Sequence, residues 1–295
     1  MTTDPCIYKG PEGKAKCLAV YDAALAHWPV PYEQLDLPTH LGSTHIIASG
    51  PQDAPPLVLL HGNWATGTMW SSVIADLCRD FRTYALDQID DVGKSIPAQL
   101  PASRSDYAEW MADVFDQLGL HQANVAGLSY GGFLAVNFAL VAPERVKRLV
   151  LLCPGVPNFG APTRKYAIHG LPLILFPTHL TGKWLIQGLS VKGYRSNEPE
   201  AEQLIVSAMH LRSRIPFRPV FGDNEFGKLK MPVLLLIGDR EVLYDAASAI
   251  DRARRLIPHI EAEIIPNAGH MLSTDQPTMV IDSMRRFLQT VDDHS

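Results

Sequence analysis

The chain has 295 residues, of which 46% are hydrophobic and 19% charged, and its 26 Lys and Arg against 31 Asp and Glu give a formal net charge of −5. This balance is typical of a soluble globular protein and carries no overall electrostatic footprint for nucleic acid or for an anionic membrane surface. With no signal-peptide pattern and no apolar run long enough to span a bilayer, we expect a cytoplasmic protein.

The N-terminal part of the chain predicts a helix followed by a break. Apolar positions over residues 13–27 recur at helical spacing, and the proline-containing stretch "WPVPYEQLDLP" then ends the pattern. We therefore expect residues 1–42 to form an N-terminal helical arm. The segment "STHIIAS" at 43–49 predicts a strand and begins the body of the protein.

Three short, continuously apolar runs predict a parallel sheet: "LVLLH" at 57–61, "RLVLLC" at 148–153 and "VLLLIG" at 233–238. Continuous rather than alternating apolarity indicates burial on both faces of the sheet. Weaker strand candidates lie at 83–87, 124–128 and 261–266, and helical stretches at about 69–79, 104–118, 130–142, 244–257 and 275–291. This alternation predicts an α/β fold with a doubly wound, mostly parallel sheet.

One region interrupts the alternation of strands and helices. Residues 155–230 are rich in Pro, Gly and bulky apolar side chains, and "EAEQLIVSAMHLRSR" within them has helical spacing. We expect a helical cap at the C-terminal edge of the sheet, where open α/β sheets bind ligands. The predicted α/β core is then 43–154 together with 231–295.

The cysteines predict neither a disulfide framework nor a metal site. Cys6, Cys17, Cys78 and Cys153 form no CxxC pair, and the chain contains no HExxH. Cys153 ends an apolar run, so we expect it to be buried and inert. We expect no metal ion.

The stretch "GLSYG" at 127–131 places Ser129 in a G-x-S-x-G pattern between a predicted strand and a predicted helix. Such a junction needs a very tight turn, and a Cβ two positions to either side would clash, which favours Gly127 and Gly131. We therefore interpret Ser129 as a nucleophile, presented at the start of a helix whose positive end favours negative charge.

A serine hydroxyl needs a base, and His270 is the histidine best placed to serve as one. It lies in "IPNAGHMLSTDQP", after the last predicted strand and before the last helix. Its imidazole needs a carboxylate partner. The candidates follow the "VLLLIG" strand in "GDREVLYD": Glu241, Asp239 and Asp245.

The order serine, acid, histidine around a G-x-S-x-G turn resembles the α/β-hydrolase superfamily from about Ser43 to the C-terminus. The helical arm together with "GDREVLYD" and "AGH" is similar to bacterial carboxylesterase-like members. The resemblance implies Glu241 as the acid, because the family's acid usually lies three residues after the glycine that ends this strand. Aspartate is commoner there than glutamate, and Asp239 and Asp245 stay open as alternatives.

The turn "LLHGNWATG" at 59–67 resembles the family's His-Gly-x turn. The resemblance implies an oxyanion hole made by the backbone N–H groups of Asn63 and Tyr130, with His61 stabilising the turn. Two other glycine patterns carry no cofactor prediction. "DDVGKS" lacks the glycine of a P-loop, and "GLSYGG" lacks the spacing of a dinucleotide site.

These residues predict a serine hydrolase that cleaves small to medium apolar carboxylic esters through an acyl-serine, with no cofactor. The expected partner is a small-molecule ester rather than nucleic acid, and the sequence leaves the oligomeric state open. A carbon–carbon bond hydrolase, a lactonase or a proline-releasing peptidase stays open on the same fold. So does a non-catalytic ligand-binding protein.

Overall fold

The computed structural model describes residues 7–155, 158–193, 199–212 and 220–290. Its centre is a sheet in the strand order β1-β2-β4-β3-β6-β7-β8-β9, with β5 paired to β2. The strands are β1 (Tyr32–Thr39), β2 (Gly42–Ser49), β3 (Pro56–Leu60), β4 (Arg82–Leu86), β5 (Ile96–Pro97), β6 (Ala123–Leu128), β7 (Val146–Leu152), β8 (Val233–Gly238) and β9 (Ile260–Ile265).

The three continuously apolar runs became the central strands β3, β7 and β8, with β6 between β3 and β7. All pairs from β4 through β3 to β9 are parallel, whereas β1, β2 and β5 pair antiparallel. Every residue of β6 and β8 is buried. The predicted fold class, a mostly parallel α/β sheet, is confirmed.

The helices between the strands flank this sheet. They are α1 (Pro11–Leu25), α2 (Ser71–Leu77), α3 (Arg104–Gln117), α4 (Tyr130–Val141), α5 (Arg164–Leu175), α6 (His179–Leu189), α7 (Pro199–His210), α8 (Asp223–Phe226), α9 (Ala246–Leu256), α10 (Leu272–Asp275) and α11 (Pro277–Leu288). Helix α3 packs on α4, and α2 packs on α11. None of the helices in the described ranges combines the length and apolar character that a membrane crossing requires.

The strand β1 was not predicted, because its sequence, YEQLDLPT, lies in the expected helical arm. It is an edge strand, joined to β2 along its whole length. Five of its eight residues are exposed, whereas Leu35 and Leu37 pack on the core. Charged side chains and Pro38 suit an exposed edge, where they discourage pairing with another chain. Such a strand lacks the apolar run by which the inner strands were recognised.

The predicted insertion contains the helices α5, α6, α7 and α8, which lie between β7 and β8 in the chain. Helix α5 packs on α6, and α6 packs on α7. Helix α1 contacts α7, and Tyr8 forms an isolated β-bridge with Leu211. The N-terminal segment therefore packs on the insertion. The division of the chain into arm, core and cap at residues 42, 154 and 230 stays a prediction.

Candidate active site

Ser129 occupies the turn between β6 and α4, with φ 52° and ψ −109°. A non-glycine residue at positive φ is strained by on the order of 1–3 kcal/mol, so the surrounding structure has to hold it. The Ser129 backbone N–H donates to Leu152 O of β7 at 2.9 Å. This bond fixes the turn at the carboxyl edge of the sheet.

Gly127 and Gly131 make the turn possible. A Cβ on Gly127 would lie 2.2 Å from the Gly131 carbonyl oxygen, and one on Gly131 would lie 2.2 Å from Leu60 O in β3. No flexible side chain is available to yield at either contact, because the opposing atoms are backbone. Glycine is therefore required on both sides of the serine, as the sequence pattern indicates.

Tyr130 is the first residue of α4, so its backbone N–H belongs to the positive end of a twelve-residue helix. Its side chain turns away to a buried network, in which the hydroxyl donates to Asp90 Oδ2 at 2.7 Å. Tyr107 donates to the same carboxylate oxygen at 2.6 Å. The network fixes the position of Tyr130, the residue directly after the candidate nucleophile Ser129.

His270 and Glu241 form a direct pair, with 2.7 Å between His270 Nδ1 and Glu241 Oε2. The other oxygen, Glu241 Oε1, accepts from the backbone N–H groups of Val242 at 2.7 Å and Leu243 at 2.8 Å. The carboxylate is completely buried. Burial alone would raise the pKa of Glu241, but the charge and hydrogen bond of His270 and the Leu243 N–H outweigh it and lower the pKa below 4.5.

The other two candidate carboxylates are engaged elsewhere. Asp239 Oδ1 accepts from the Ala268 N–H at 3.1 Å. Asp245 caps α9, accepting from the Ser248 N–H at 2.8 Å. Hydrogen bonds of this kind stabilise a loop and a helix start, respectively. The structure thus brings Glu241, and neither aspartate, to His270.

Ser129, His270 and Asn63 line one cavity of about 100 Å³. The rest of the wall is mainly apolar and comes from both the predicted core and the predicted insertion. The core residues are Gly62, Trp64, Ala65, Met69, Leu128, Leu243 and Met271. The insertion residues are Gly155, Tyr166, Leu185, Leu189 and Leu204. The insertion therefore covers Ser129 and His270. An apolar wall around a hydroxyl, an imidazole and a main-chain turn is the usual composition of a small-molecule site.

The turn that carries Asn63 is held by buried polar groups. His61 Nδ1 is 2.7 Å from Gly62 O, and His61 Nε2 accepts from the Gln88 N–H at 3.0 Å. Burial lowers the pKa of His61 to about 4, so the ring is neutral, and both of its nitrogens are hydrogen-bonded to main-chain groups. On the other side of Asn63, the Trp64 N–H donates to Asp91 Oδ2 at 2.8 Å.

The loop after β4, "DQIDDVGKS" at 87–95, supplies further anchors that were not predicted from the sequence. Asp87 is fully buried and accepts from the N–H groups of Gly67 and Lys94, each at 2.8 Å. Burial raises the pKa of Asp87 despite these bonds. A Cβ on Gly93 would lie 2.7 Å from the Asp87 carboxyl group, so the loop closes tightly around the acid.

Asp275 also went unrecognised in the sequence, where no motif marks it. Its Oδ2 accepts from the Gly269 N–H at 2.8 Å and from the Val191 N–H at 3.1 Å, and its Oδ1 accepts from the Ser190 hydroxyl. The carboxylate is buried. It therefore joins the end of α6 in the insertion to the residue that precedes His270.

Cys153 is buried as expected, but it lies against the candidate site. Its Sγ, the Glu241 carboxylate and a His270 ring nitrogen all lie within 4.8 Å of one another. These are atoms that a metal ion uses, yet the Glu241 oxygens are already hydrogen-bonded to His270 and two backbone N–H groups. Burial also raises the pKa of Cys153 well above its usual value, which keeps the thiol protonated. The trio therefore fits a hydrogen-bonded cluster better than a metal site.

Comparisons with known proteins agree with this geometry. Residues 57–283 match the family model described as "Alpha/beta hydrolase family". The chain is 41% identical over 285 residues to an uncharacterized carboxylesterase, nap, of Bacillus subtilis (strain 168), covering 90% of each sequence. It is 39% identical to carboxylesterase YbfK of the same organism, covering 98% of both. The crystal structure of naproxen esterase (carboxylesterase NP) from Bacillus subtilis superposes with a TM-score of 0.87 at 38% identity, covering 95% of this chain and 100% of that one.

The lowered pKa of Glu241 predicts a pH-dependent contribution to stability. Below the usual value of 4.5 the unfolded chain binds more protons at this group than the folded chain does, so stability falls as the pH drops through the folded pKa. Glu241→Gln should therefore be less stable than the wild type at neutral pH, and the difference should narrow in acid. Chemical denaturation at several pH values measures this. A difference that stays constant down to acid pH would contradict the prediction, and Asp53→Asn serves as a control at an exposed carboxylate of a surface turn.

Proposed function

The chain belongs to the Alpha/beta hydrolase family, and we propose that it hydrolyses carboxylic esters through an acyl-serine intermediate, with Ser129, His270 and Glu241 as the catalytic residues. The observation that carries the proposal is the buried pairing of His270 with Glu241 at a cavity that Ser129 also lines. The carboxylesterases at about 40% identity support the same activity.

The pairing defines which nitrogen of His270 takes the proton. Because Nδ1 faces the Glu241 carboxylate at 2.7 Å, Nδ1 carries hydrogen and Nε2 is the free base. As Ser129 Oγ forms a bond to the ester carbonyl carbon, Nε2 removes the hydroxyl proton. The imidazolium that results is stabilised by Glu241, whose lowered pKa keeps the carboxylate ionised at neutral pH.

The negative charge that develops on the carbonyl oxygen needs donors already in place. We assign this role to the backbone N–H groups of Asn63 and Tyr130. Asn63 lines the cavity, and Tyr130 begins α4, so the positive end of that helix adds to the stabilisation. Fixed N–H dipoles in an apolar surrounding stabilise the oxyanion more than the same groups would in water, because they do not have to reorient as the charge develops.

The second half of the reaction restores the enzyme. His270 gives its proton to the leaving alcohol as the carbon–oxygen ester bond breaks, which leaves the acyl group on Ser129. A water molecule then attacks the acyl carbonyl while Nε2 takes its proton. The acyl–serine bond breaks, the proton returns to Ser129 Oγ, and the carboxylic acid leaves.

The cavity favours a small to medium apolar ester. Leu128, Leu243, Leu185 and Leu189 wall it, and a volume of about 100 Å³ limits what fits without displacement of the insertion. A related solved structure, at 38% identity, is that of naproxen esterase (carboxylesterase NP) from Bacillus subtilis. We therefore propose esters with an apolar acyl or alcohol group as substrates.

Ser129→Ala should abolish both labelling by a fluorophosphonate probe and hydrolysis of p-nitrophenyl butyrate, because only an activated hydroxyl reacts with either. The loss of kcat should be about 10⁴-fold or more. Ser248→Ala, at an exposed serine of α9, is the matched control and should behave as the wild type. A wild-type protein that the probe does not label would overturn the nucleophile and favour a ligand-binding protein on this fold.

Replacing each candidate acid by its amide separates the three carboxylates. Glu241→Gln should lower kcat by about 10³- to 10⁴-fold with a smaller effect on KM, since it removes the charge that supports the imidazolium. Asp239→Asn and Asp245→Asn should stay within about ten-fold of the wild type, because Asn retains a hydrogen-bonding oxygen. Steady-state kinetics on one ester checks all three. Loss of activity confined to Asp239→Asn would refute the assignment of Glu241.

A panel of p-nitrophenyl esters from acetate to laurate tests the substrate class. We expect kcat/KM to rise with acyl length while the chain fits the apolar cavity and to fall for the longest esters. Leu185→Trp, which narrows the cavity from the insertion side, should shift the optimum to shorter acyl chains. Inactivity across the panel with probe labelling intact would point to another hydrolase subclass.

A further inference from the structure

The insertion carries a charge pattern that the overall composition hides. From Gly155 to Asn197 the insertion contains no Asp or Glu but five Lys or Arg, within a chain whose net charge is −5. Four of these cations, Arg164, Lys165, Lys183 and Lys192, lie on or next to α5 and α6. The absence of a general anionic-membrane footprint therefore holds for the average of the chain and not for this segment.

Helix α5 exposes apolar side chains on its outer face. Ile168 is 58% exposed, Leu171 51% and Leu175 59%, at positions spaced by three and four residues, and Ile174 beside them is 62% exposed. The opposite face is apolar too, since Leu173 is buried in the main core. A helix with apolar side chains on both faces is normally buried on both faces, by protein or by lipid.

Helix α6 and the link to it extend the same surface. Phe176 is 68% exposed, Leu180 78% and Trp184 48%. The Trp184 ring stacks on His169 with centroids 4.9 Å apart, and its Nε1 donates to Ile168 O at 3.1 Å, which joins α6 to α5. We name the seven residues Ile168, Leu171, Ile174, Leu175, Phe176, Leu180 and Trp184 the cap face.

The cap face is the outer side of the elements that wall the cavity. Leu185 and Leu189 of α6 and Tyr166 of α5 face inward to the cavity that Ser129 lines. The outward residues therefore contribute nothing to that wall, and their exposure to water is unfavourable. An exposed apolar area formed by seven neighbouring large side chains marks an interaction surface.

Cations border this apolar area. Arg164 and Lys165 are exposed at the start of α5, and Lys183 lies within α6. In α7, which packs on α6, Glu202 is hydrogen-bonded to His179 at 2.7 Å and Glu200 to Ser71 at 2.6 Å. Apolar side chains, an exposed Phe and Trp, and bordering cations together form the composition of helices that lie in a lipid interface.

We propose that the cap face docks on a lipid surface that carries anionic headgroups. Its apolar side chains enter the boundary between headgroups and acyl chains, while the exposed Arg164 and Lys165 approach the headgroups. A symmetric pair of chains meeting through this face is less favourable, because α5 and α6 contain no Asp or Glu that could pair with Arg164 and Lys165 of the other copy. Given the proposed esterase function, docking brings the cavity close to esters dissolved in lipid; the docking itself does not depend on hydrolysis.

Flotation with phosphatidylglycerol and with phosphatidylcholine vesicles tests the proposal. The wild type should bind phosphatidylglycerol vesicles more tightly, and added salt should weaken that binding. The double variant Ile174→Asp, Leu180→Asp should bind at least about ten-fold more weakly, since it loses two exposed apolar side chains that docking would bury in the lipid. Arg164→Ala and Lys165→Ala should each weaken binding by about five-fold.

The matched control is Ile96→Asp, Val141→Asp, which replaces two apolar residues that are also more than half exposed, at 61% and 56%, outside the cap face. It should bind vesicles as the wild type does. Both double variants should retain the wild-type kcat on a water-soluble ester, which shows that they fold. Ser129→Ala should float with vesicles unchanged, so a failure of the esterase proposal would leave this measurement intact.

Three results would overturn the proposal. They are absence of binding to either vesicle, equal binding to both lipids regardless of salt, and a dimer in light scattering that Ile174→Asp, Leu180→Asp dissociates. The last would assign the cap face to a second copy of the chain.

Discussion

The close approach of α4 to β3 and β6 is the constraint on which the rest of the site depends. Backbone meets backbone there, with room for no side chain atom at Gly127 or Gly131. Only under that constraint does the chain hold Ser129 at a positive φ and start a helix directly after it. The same contact sets the hydroxyl at the carboxyl edge of the sheet, where the loops after β3, β8 and β9 bring Asn63, Glu241 and His270.

Buried carboxylates hold the loops around that edge in place, and each of them accepts hydrogen bonds from a different set of groups. Glu241 bonds its own loop through one oxygen and His270 through the other. Asp91 holds the turn at Trp64, and Asp87 holds the loop that returns from β4. An ionised group left without partners in such surroundings would cost several kcal/mol, so each acid also dictates the conformation of the main chain that bonds it.

The sequence predicted those parts of the structure that have a strong local pattern. Continuous apolar runs marked β3, β7 and β8, and the glycines around Ser129 marked the turn, because each feature reflects a local demand of burial or space. Chain order narrowed the candidate acid to three residues of one loop, and the family resemblance implied Glu241 among them. The structure pairs Glu241, and neither aspartate, with His270. Strand β1 and the role of Asp275 were not predicted. Neither the pairing of an edge strand nor a hydrogen bond between distant segments produces a periodic pattern of apolar residues in the sequence. The exposed face of α5 was not predicted either, because an apolar side chain in the sequence can face either the core or the solvent.

Asp275 links the insertion, which walls the cavity, to the loop that carries His270. One oxygen holds both Val191, just beyond α6, and Gly269, next to the imidazole, while the Met271 N–H donates to Leu189 O at 3.1 Å. A displacement of the end of α6 that keeps these bonds must carry the histidine loop with it. The wall of the cavity that α6 supplies and the His270 imidazole, the proposed base, are therefore mechanically coupled, so that access to the cavity and the orientation of this ring change together.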